Sequence, residues 1–441
     1  MKWFMIDDGW LDVRENRLLT FFADQEKFPE GLKRTTAVLK EDYGISWVGV
    51  WHTLAGYWGG IHPDSDLAKT FKEYLYAIRG GDLLPHPGVE RGFRFWHHWH
   101  AFLKASGISF VKVDGQSAIA NFFKGHEPIG AVTRSIHKGF EASVALHFNQ
   151  NLINCMGMAS ENIWSRPSSA LSRNSDDFVP SGEISFEEHA LQNVYNSYYH
   201  SQFYWGDWDM FWSKHPEWKQ GSILRALSGG PIYTSDGIGD TQIEVIWPLV
   251  LRDGRILRLD APGLPTEDCL LKDPTLEPIP LKVWGSVGSS GVLGAFNLNA
   301  QGQDVTGTIS ATDLPSLAGK RIGVYDYFAQ TATILEQGET LRIELAGDEV
   351  TLNVLVPFET SFAPLGLVNK YLAPATILHV ALGDQGAEVL VAEGGIFGFL
   401  AERAPRKVFV NGSPHSFKEE NGLFLIDCSD CEAKVALSIV F

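Results

Sequence analysis

Seven short apolar runs pattern the first half of the chain, each closed by a polar or carboxylate-bearing turn. They are WFMID (3–7), ISWVGVW (45–51), ISFVKVD (108–114), LINCMGM (152–158), ALSRNSD (170–176), QFYWGDW (202–208) and PIYTSD (231–236). Short runs rich in β-formers and bounded by breakers predict buried strands of a parallel sheet. Helix-compatible stretches separate several of them: 31–43, with Leu32, Val38 and Leu39; 93–106, which stops before Gly107; and 187–200. Strands alternating with helices predict an α/β architecture with right-handed crossovers. The chemistry-bearing residues fall at the C-terminal ends of the runs, where a TIM-type (β/α)8 barrel keeps its active site. The runs number seven, one short of a full barrel.

The pattern changes after about Asp273. From Leu281 onward, segments such as GVLGAFNLN (291–299), TLRIELA (340–346), EVTLNVLVPF (349–358) and KVFVNG (407–412) alternate with Gly, Asn and Asp turns. No convincing helix interrupts them, which predicts a C-terminal all-β sandwich. The proline-rich stretch 239–280 reads as the last barrel helix followed by a linker. The expected division is a barrel catalytic domain over 1–275 and a β-sandwich domain over 276–441.

Composition narrows the function classes. Hydrophobic residues are 44% and charged residues 20%, so the chain can bury a large core and is not disordered. With 36 Lys+Arg against 53 Asp+Glu the net charge is −17, which disfavours phosphate backbones and anionic membrane surfaces. No run of about 18 apolar residues predicts a transmembrane helix. The N-terminus, MKWFMIDDGW, is too acidic and its apolar part too short for a secretory signal. Four cysteines make no disulfide scaffold, and the C-x-x-C of Cys428 and Cys431 lacks the second pair of a metal site. A reducing cytoplasm is the expected compartment. The chain is rich in aromatics, with 14 Trp and 27 Phe, whose flat rings suit sugar faces as well as cores.

Carboxylates carry the chemistry. Asp7 and Asp8 close the first run, Asp114 closes the third, and Asp176 and Asp177 follow the fifth. Asp207 and Asp209 flank Trp208, and Asp236 closes the seventh. In one barrel these side chains would crowd one rim and repel each other. A glycosidase uses such a group, with one ionised carboxylate as nucleophile and one protonated carboxyl as proton donor. Helix capping or pairing with Lys and Arg is the structural alternative for any single one. Metal binding is the competing use of the group. His97, His98 and His100 lie in an amphipathic helical pattern, however, where consecutive side chains point apart. No H-E-x-x-H, P-loop, dinucleotide fingerprint or nucleophile elbow is present, so neither a metal nor a cofactor is expected.

The ordered set IDDGW (6–10), VWHTLAGYWGG (50–60), VKVDGQ (111–116), SRNSDDF (172–178), GDWDMF (206–211) and SGGPIYTSD (228–236) resembles the raffinose synthase and seed-imbibition-protein branch of the α-galactosidases, in glycoside hydrolase family 36. GVLGAFNLN and RKVFVNG resemble that family's C-terminal part. The resemblance implies that Asp114 is the nucleophile and Asp176 the acid/base, with Asp177 one residue from that role. It implies that Asp7 and Asp8 accept hydrogen bonds from O4 and O6 of galactose. Lys112, two residues before Asp114 and so on the same strand face, would hold that carboxylate ionised and bind sugar hydroxyls. Trp51 is a candidate sugar platform, with core packing as its alternative. Arg173, and Cys155 with Gly157, match the segments near O2. Asp209 is a candidate substrate contact or a support for one.

The family usually carries a β-sandwich and an aromatic-rich first barrel strand ahead of the IDDGW strand. This chain begins on that strand, so it is expected to be a fragment or to start internally, with exposed sheet edges. The leading expectation is a retaining α-galactosidase acting on raffinose-type α-1,6-galactosides, a small-molecule oligosaccharide substrate. Galactosyl transfer from galactinol to sucrose is the alternative within the family. A non-catalytic carbohydrate-binding remnant and a metal-dependent hydrolase are the rivals of other classes.

Overall fold

The computed structural model describes residues 2–78, 81–179, 182, 185–383 and 385–441. The chain divides into two compact units, Met1–Arg173 and Asn174–Phe441. In the first unit the strands Trp3–Ile6, Trp47–Thr53, Phe110–Asp114, Leu152–Asn154 and Leu171–Arg173 lie side by side in chain order. All are parallel, with Ile6 opposite Val50, Thr53 opposite Asp114, Val113 opposite Asn154 and Asn154 opposite Ser172. Five of the expected runs are thus strands of one parallel sheet, although 152–158 and 170–176 keep only three strand residues each.

The helices Gly31–Glu41, Val89–Ala105 and Ile129–Phe148 form the main crossovers. The second begins four residues before the expected 93–106, and the third lies where no helix was expected. Both departures trace to glycine. A side chain at Gly92 would meet the His86 carbonyl at 2.5 Å, and one at Gly139 would meet the Val89 carbonyl at 2.7 Å. Each glycine marks a close backbone approach rather than a helix end. Val132, Phe140, Val144 and Phe148 are buried on one face of the long helix, against a core that includes Phe95, Trp96, Trp99 and Leu103.

The three histidines of 97–100 go three ways. His100 is buried, 2.8 Å from the Ser143 hydroxyl and 3.4 Å from His52. His97 meets His147 at 3.0 Å, and His98 packs on the rings of Phe71 and Tyr74. Burial pushes the His52 imidazole down to about 4, so it sits neutral, packed against both Trp96 and Trp99.

In the second unit the run 202–208 supplies the strand Trp205–Asp207, and the helices Phe186–His200 and Trp218–Ser228 follow the expected alternation. The run 231–236 forms no strand; Thr234 makes a single bridge to Phe211. Stretch 239–280 holds only the short helix Ile243–Ile246, the turn Trp247–Leu249 and the strand Leu264–Pro265, with a further turn at Glu267–Cys269.

From Leu281 on, the described strands pair antiparallel. A six-stranded sheet contains Leu281–Val287, Ser290–Phe296, Val350–Pro357 and Ile322–Asp326. Its strand Ser290–Phe296 is buried on both faces. Val292 and Phe296 share a core with Ile223, Leu224 and Leu227 of the preceding helix, while Leu293 and Ala295 pack with Val305, Ile309 and Leu345. The remaining chain builds a four-stranded and a five-stranded sheet around their own core of Val389, Phe397, Phe399, Leu437 and Ile439.

Leu227 is fully buried in the helix–sheet core. Leu227→Ala is expected to lower stability by about 2–5 kcal/mol through lost burial and a residual cavity. Urea unfolding followed by tryptophan fluorescence measures it; a change below about 1 kcal/mol would show that this core does not lock helix to sheet.

Candidate active site

At the end of an apolar strand Asp114 is 6% exposed. Two fixed donors take its oxygens: the Trp51 indole N–H at 2.9 Å on Oδ2 and the Gly115 amide at 2.6 Å on Oδ1. The parallel register makes this possible, because Trp51 lies opposite Lys112, two residues before Asp114. Trp51 is itself 1% exposed, and its carbonyl accepts from the Trp10 indole at 2.7 Å. Its ring is therefore a buried support for Asp114 and offers no open face to a sugar.

Lys112 reaches Asp7, with Nζ 3.0 Å from Oδ2. The lysine side chain is 7% exposed and the aspartate side chain 50%, so the pair joins a buried cation to an accessible carboxylate. Asp8 is exposed and tightly oriented. Its Oδ1 accepts from the Tyr57 hydroxyl at 3.0 Å and the Gly9 amide at 2.6 Å, and its Oδ2 from the Trp58 indole at 3.0 Å. Burial first, and then the Asp8 carboxylate, push the Tyr57 hydroxyl up to about 12, so it stays a donor at ordinary pH.

Cys155 is fully buried, and its amide donates to the Val113 carbonyl at 2.9 Å. Gly157 lies under Arg166 and Gln116, and Gln116 in turn bonds the Val113 carbonyl and Asn154. Arg173, at the end of its strand, is 1% exposed.

In the second unit, Asp176 and Asp177 are exposed on the loop after Asn174 and Ser175, which are buried. The Asp176 amide donates to Gln192 Oε1 at 2.9 Å, and Gln192 Nε2 lies 3.4 Å from Asp176 Oδ2 and 2.8 Å from Glu188. Asp209, 3% exposed, accepts from the Phe178 amide at 2.8 Å and so pins the loop just beyond the two acids. The Asp209 backbone is left-handed, with φ +67°, which costs a non-glycine residue about 1–2 kcal/mol. Arg225 supports that conformation by donating to the Asp209 and Met210 carbonyls and lying 2.9 Å from His189, whose ring stacks on Phe178. The Tyr233 hydroxyl lies 3.1 Å from both oxygens of buried Asp207 and 3.3 Å from Asp209 Oδ1.

The structure thus brings Trp51 to Asp114, Lys112 to Asp7, and Asp209 to the loop of Asp176 and Asp177. Sequence reasoning missed Tyr57, Trp58, Gln192, Tyr233 and Arg225. Tyr57 and Trp58 lie inside the motif VWHTLAGYWGG and Tyr233 inside SGGPIYTSD, so the signal was present but ranked by carboxylates alone.

An α-galactosidase from Saccharomyces cerevisiae matches 81% of this chain and 89% of its own, with a TM-score of 0.54 at 10% identity. The fold is the TIM barrel with a C-terminal β domain of those enzymes. The family is narrower: residues 11–308 match the model described as raffinose synthase or seed imbibition protein Sip1, and the chain belongs to that family. It is 28% identical to a probable galactinol–sucrose galactosyltransferase 6 of Arabidopsis thaliana, an alignment covering 96% of this chain and 66% of that protein. It is 30% identical to the galactinol–sucrose galactosyltransferase of Oryza sativa subsp. japonica, over 96% of this chain and 64% of that one. The chain therefore spans about two thirds of the length of these relatives.

Two outcomes are expected from this geometry. The contribution of neutral Tyr57 to folding is complete below the ordinary tyrosine pKa of about 10, and it is lost as the pH rises through about 12. The ultraviolet difference titration of wild type against Tyr57→Phe should accordingly show no tyrosinate from this residue below about pH 11; ionisation near 10 would contradict its burial beside the Asp8 carboxylate. Asp209→Ala should cost about 1.5–3 kcal/mol, since it strands the Phe178 amide beside a buried network. Hydrogen exchange of the peptide containing Phe178 should accelerate, and unchanged protection would show that Asp209 does not pin the loop.

Proposed function

We propose that this chain is a retaining glycoside hydrolase that removes terminal α-galactosyl residues from raffinose-type α-1,6-galactosides without a cofactor. The catalytic part is the barrel segment 1–275, followed by the β-sandwich segment 276–441. The observation that carries the reading is Asp114, a buried carboxylate at a parallel-strand end with each oxygen already oriented by a rigid donor. Preorganised donors spare the reorganisation that a solvated carboxylate would undergo.

In the proposed reaction the Asp114 carboxylate attacks the anomeric carbon, and the bond from that carbon to the leaving oxygen breaks. Asp176, protonated, gives its proton to that oxygen. The product is a β-galactosyl ester of Asp114. Asp176, now ionised, takes a proton from water as the water oxygen attacks the anomeric carbon and the bond from that carbon to the Asp114 oxygen breaks; α-galactose leaves and the Asp114 carboxylate is regenerated. Asp7 and Asp8 serve as acceptors for O4 and O6. A C4 epimer would turn its O4 away from this carboxylate pair and lose that hydrogen bond. Arg173 and the Cys155 segment are assigned to O2, and Asp209 to supporting the acid/base loop. The contact of Gln192 with the Asp176 carboxylate favours a second assignment, in which Asp177 is the proton donor.

The names of the relatives favour a second reading of the acceptor, in which sucrose replaces water and galactinol is the donor. Both readings share the galactosyl ester. Asp114→Ala is expected to lower turnover of a nitrophenyl α-galactoside at least about 10³-fold. Azide should restore turnover and yield the β-galactosyl azide. Wild-type-like turnover, or an azide of α configuration, would overturn the nucleophile assignment. The acid/base variant, whether Asp176→Ala or Asp177→Ala, should lose raffinose cleavage while keeping much of its action on the nitrophenyl substrate, whose leaving group needs no proton. Galactinol with sucrose yields free galactose on the hydrolytic reading and raffinose on the transfer reading. Galactose binding with no product from either would leave a binding protein.

A further inference from the structure

Trp58 shares a motif with Trp51 but has the opposite environment. Trp51 is 1% exposed, whereas Trp58 is 42% exposed. Its indole N–H holds Asp8 Oδ2 at 3.0 Å, and its ring centroid lies 5.3 Å from that of Trp51. The far edge of the indole comes within 3.8 Å of where a side chain on Gly115 would begin. One exposed ring therefore spans from the Asp8 carboxylate to the residue that follows Asp114.

The loop that carries it is tightly fixed. The Gly59 amide donates to the Asn16 carbonyl at 2.8 Å, the Leu18 amide to the Gly60 carbonyl at 3.0 Å, and the Ile61 amide to the Leu83 carbonyl at 2.8 Å. A side chain on Gly60 would meet the Leu83 carbonyl at 2.4 Å. The glycine pair lets the backbone press against two hairpins, so the ring position is set by main-chain bonds rather than by its own burial. An ordered, half-exposed indole next to an oriented acceptor is the combination that binds a sugar, apolar carbon face on the ring and hydroxyls on the carboxylate.

We propose that Trp58 is a specificity-determining residue for the galactosyl unit. Its ring provides the stacking face, and its N–H fixes Asp8 in the orientation that accepts a hydroxyl on the C4–C6 side of the sugar. This rests on the α-galactosyl reading above, and the test separates the two. Trp58→Phe keeps a ring and loses the N–H; Trp58→Ala loses both. For a nitrophenyl α-galactoside, Trp58→Phe should lower kcat/KM by about 10- to 100-fold, the range for a lost bond to a charged group. For the matching β-L-arabinopyranoside, which is the same ring without the C6 hydroxymethyl group, the loss should be several-fold smaller, so the selectivity ratio falls. Trp58→Ala should lower activity on both substrates further. Wild-type turnover of the galactoside checks the underlying reading on its own. Free galactose titrated by tryptophan fluorescence reads Trp58 without turnover: the wild-type signal change should be largely lost in Trp58→Phe and the affinity weakened. An unchanged selectivity ratio, or an unchanged galactose titration, would overturn the assignment.

Discussion

A carboxylate placed at the end of an apolar strand has to find hydrogen bonds where water is scarce, or its burial is too costly to persist. Asp114 meets this constraint with an indole N–H from the neighbouring strand and the amide of the next residue. Much of the first unit follows from it. Trp51 must lie two residues before the register partner of Asp114, and its own burial requires the Trp10 bond to its carbonyl. The aromatic and histidine layer of Trp96, Trp99 and His52 then fills the volume behind the strand, with His52 kept neutral by burial. Fold and chemistry share one requirement here: the strand must be apolar to be buried, and its terminal acid must be fully oriented to be tolerated.

The second unit solves a related problem by another route. Asp176 and Asp177 lie on a loop with little regular structure, so their positions depend on what grips its backbone. Gln192 takes one amide and Asp209 another. Asp209 does so from a left-handed conformation, which Arg225 stabilises from inside the helix Trp218–Ser228. The same helix packs its Leu227 face on the six-stranded sheet. Core packing in the C-terminal region is thereby connected, through Arg225 and Asp209, to the loop that bears the acids.

The buried strands were legible in sequence because a strand covered on both faces reads as a short apolar run. The run 231–236 looked the same and formed no strand; its Tyr233 works through a hydroxyl on Asp207, and periodicity is blind to that bond. The helix Ile129–Phe148 was not among the expected helices; it contains two glycines, and Gly139 is a point of close helix contact. At the site, the carboxylates and Lys112 were identifiable from their places at strand ends. The two tryptophans of VWHTLAGYWGG were not separable, since residue type is identical and only burial tells the support from the exposed ring. Gln192 and Arg225 gave no signal of their own, because each acts on a partner distant in sequence.

On the proposed reaction Asp114 becomes covalently bonded to galactose. A fluorinated, slow-turnover α-galactoside incubated with the protein, followed by proteolysis and mass spectrometry, tests it most directly. One added fluorogalactosyl unit is expected on the peptide 111–116, mapped to Asp114 and lost on prolonged incubation with an acceptor. A label on another residue, or turnover of galactosides with no label at all, would contradict it.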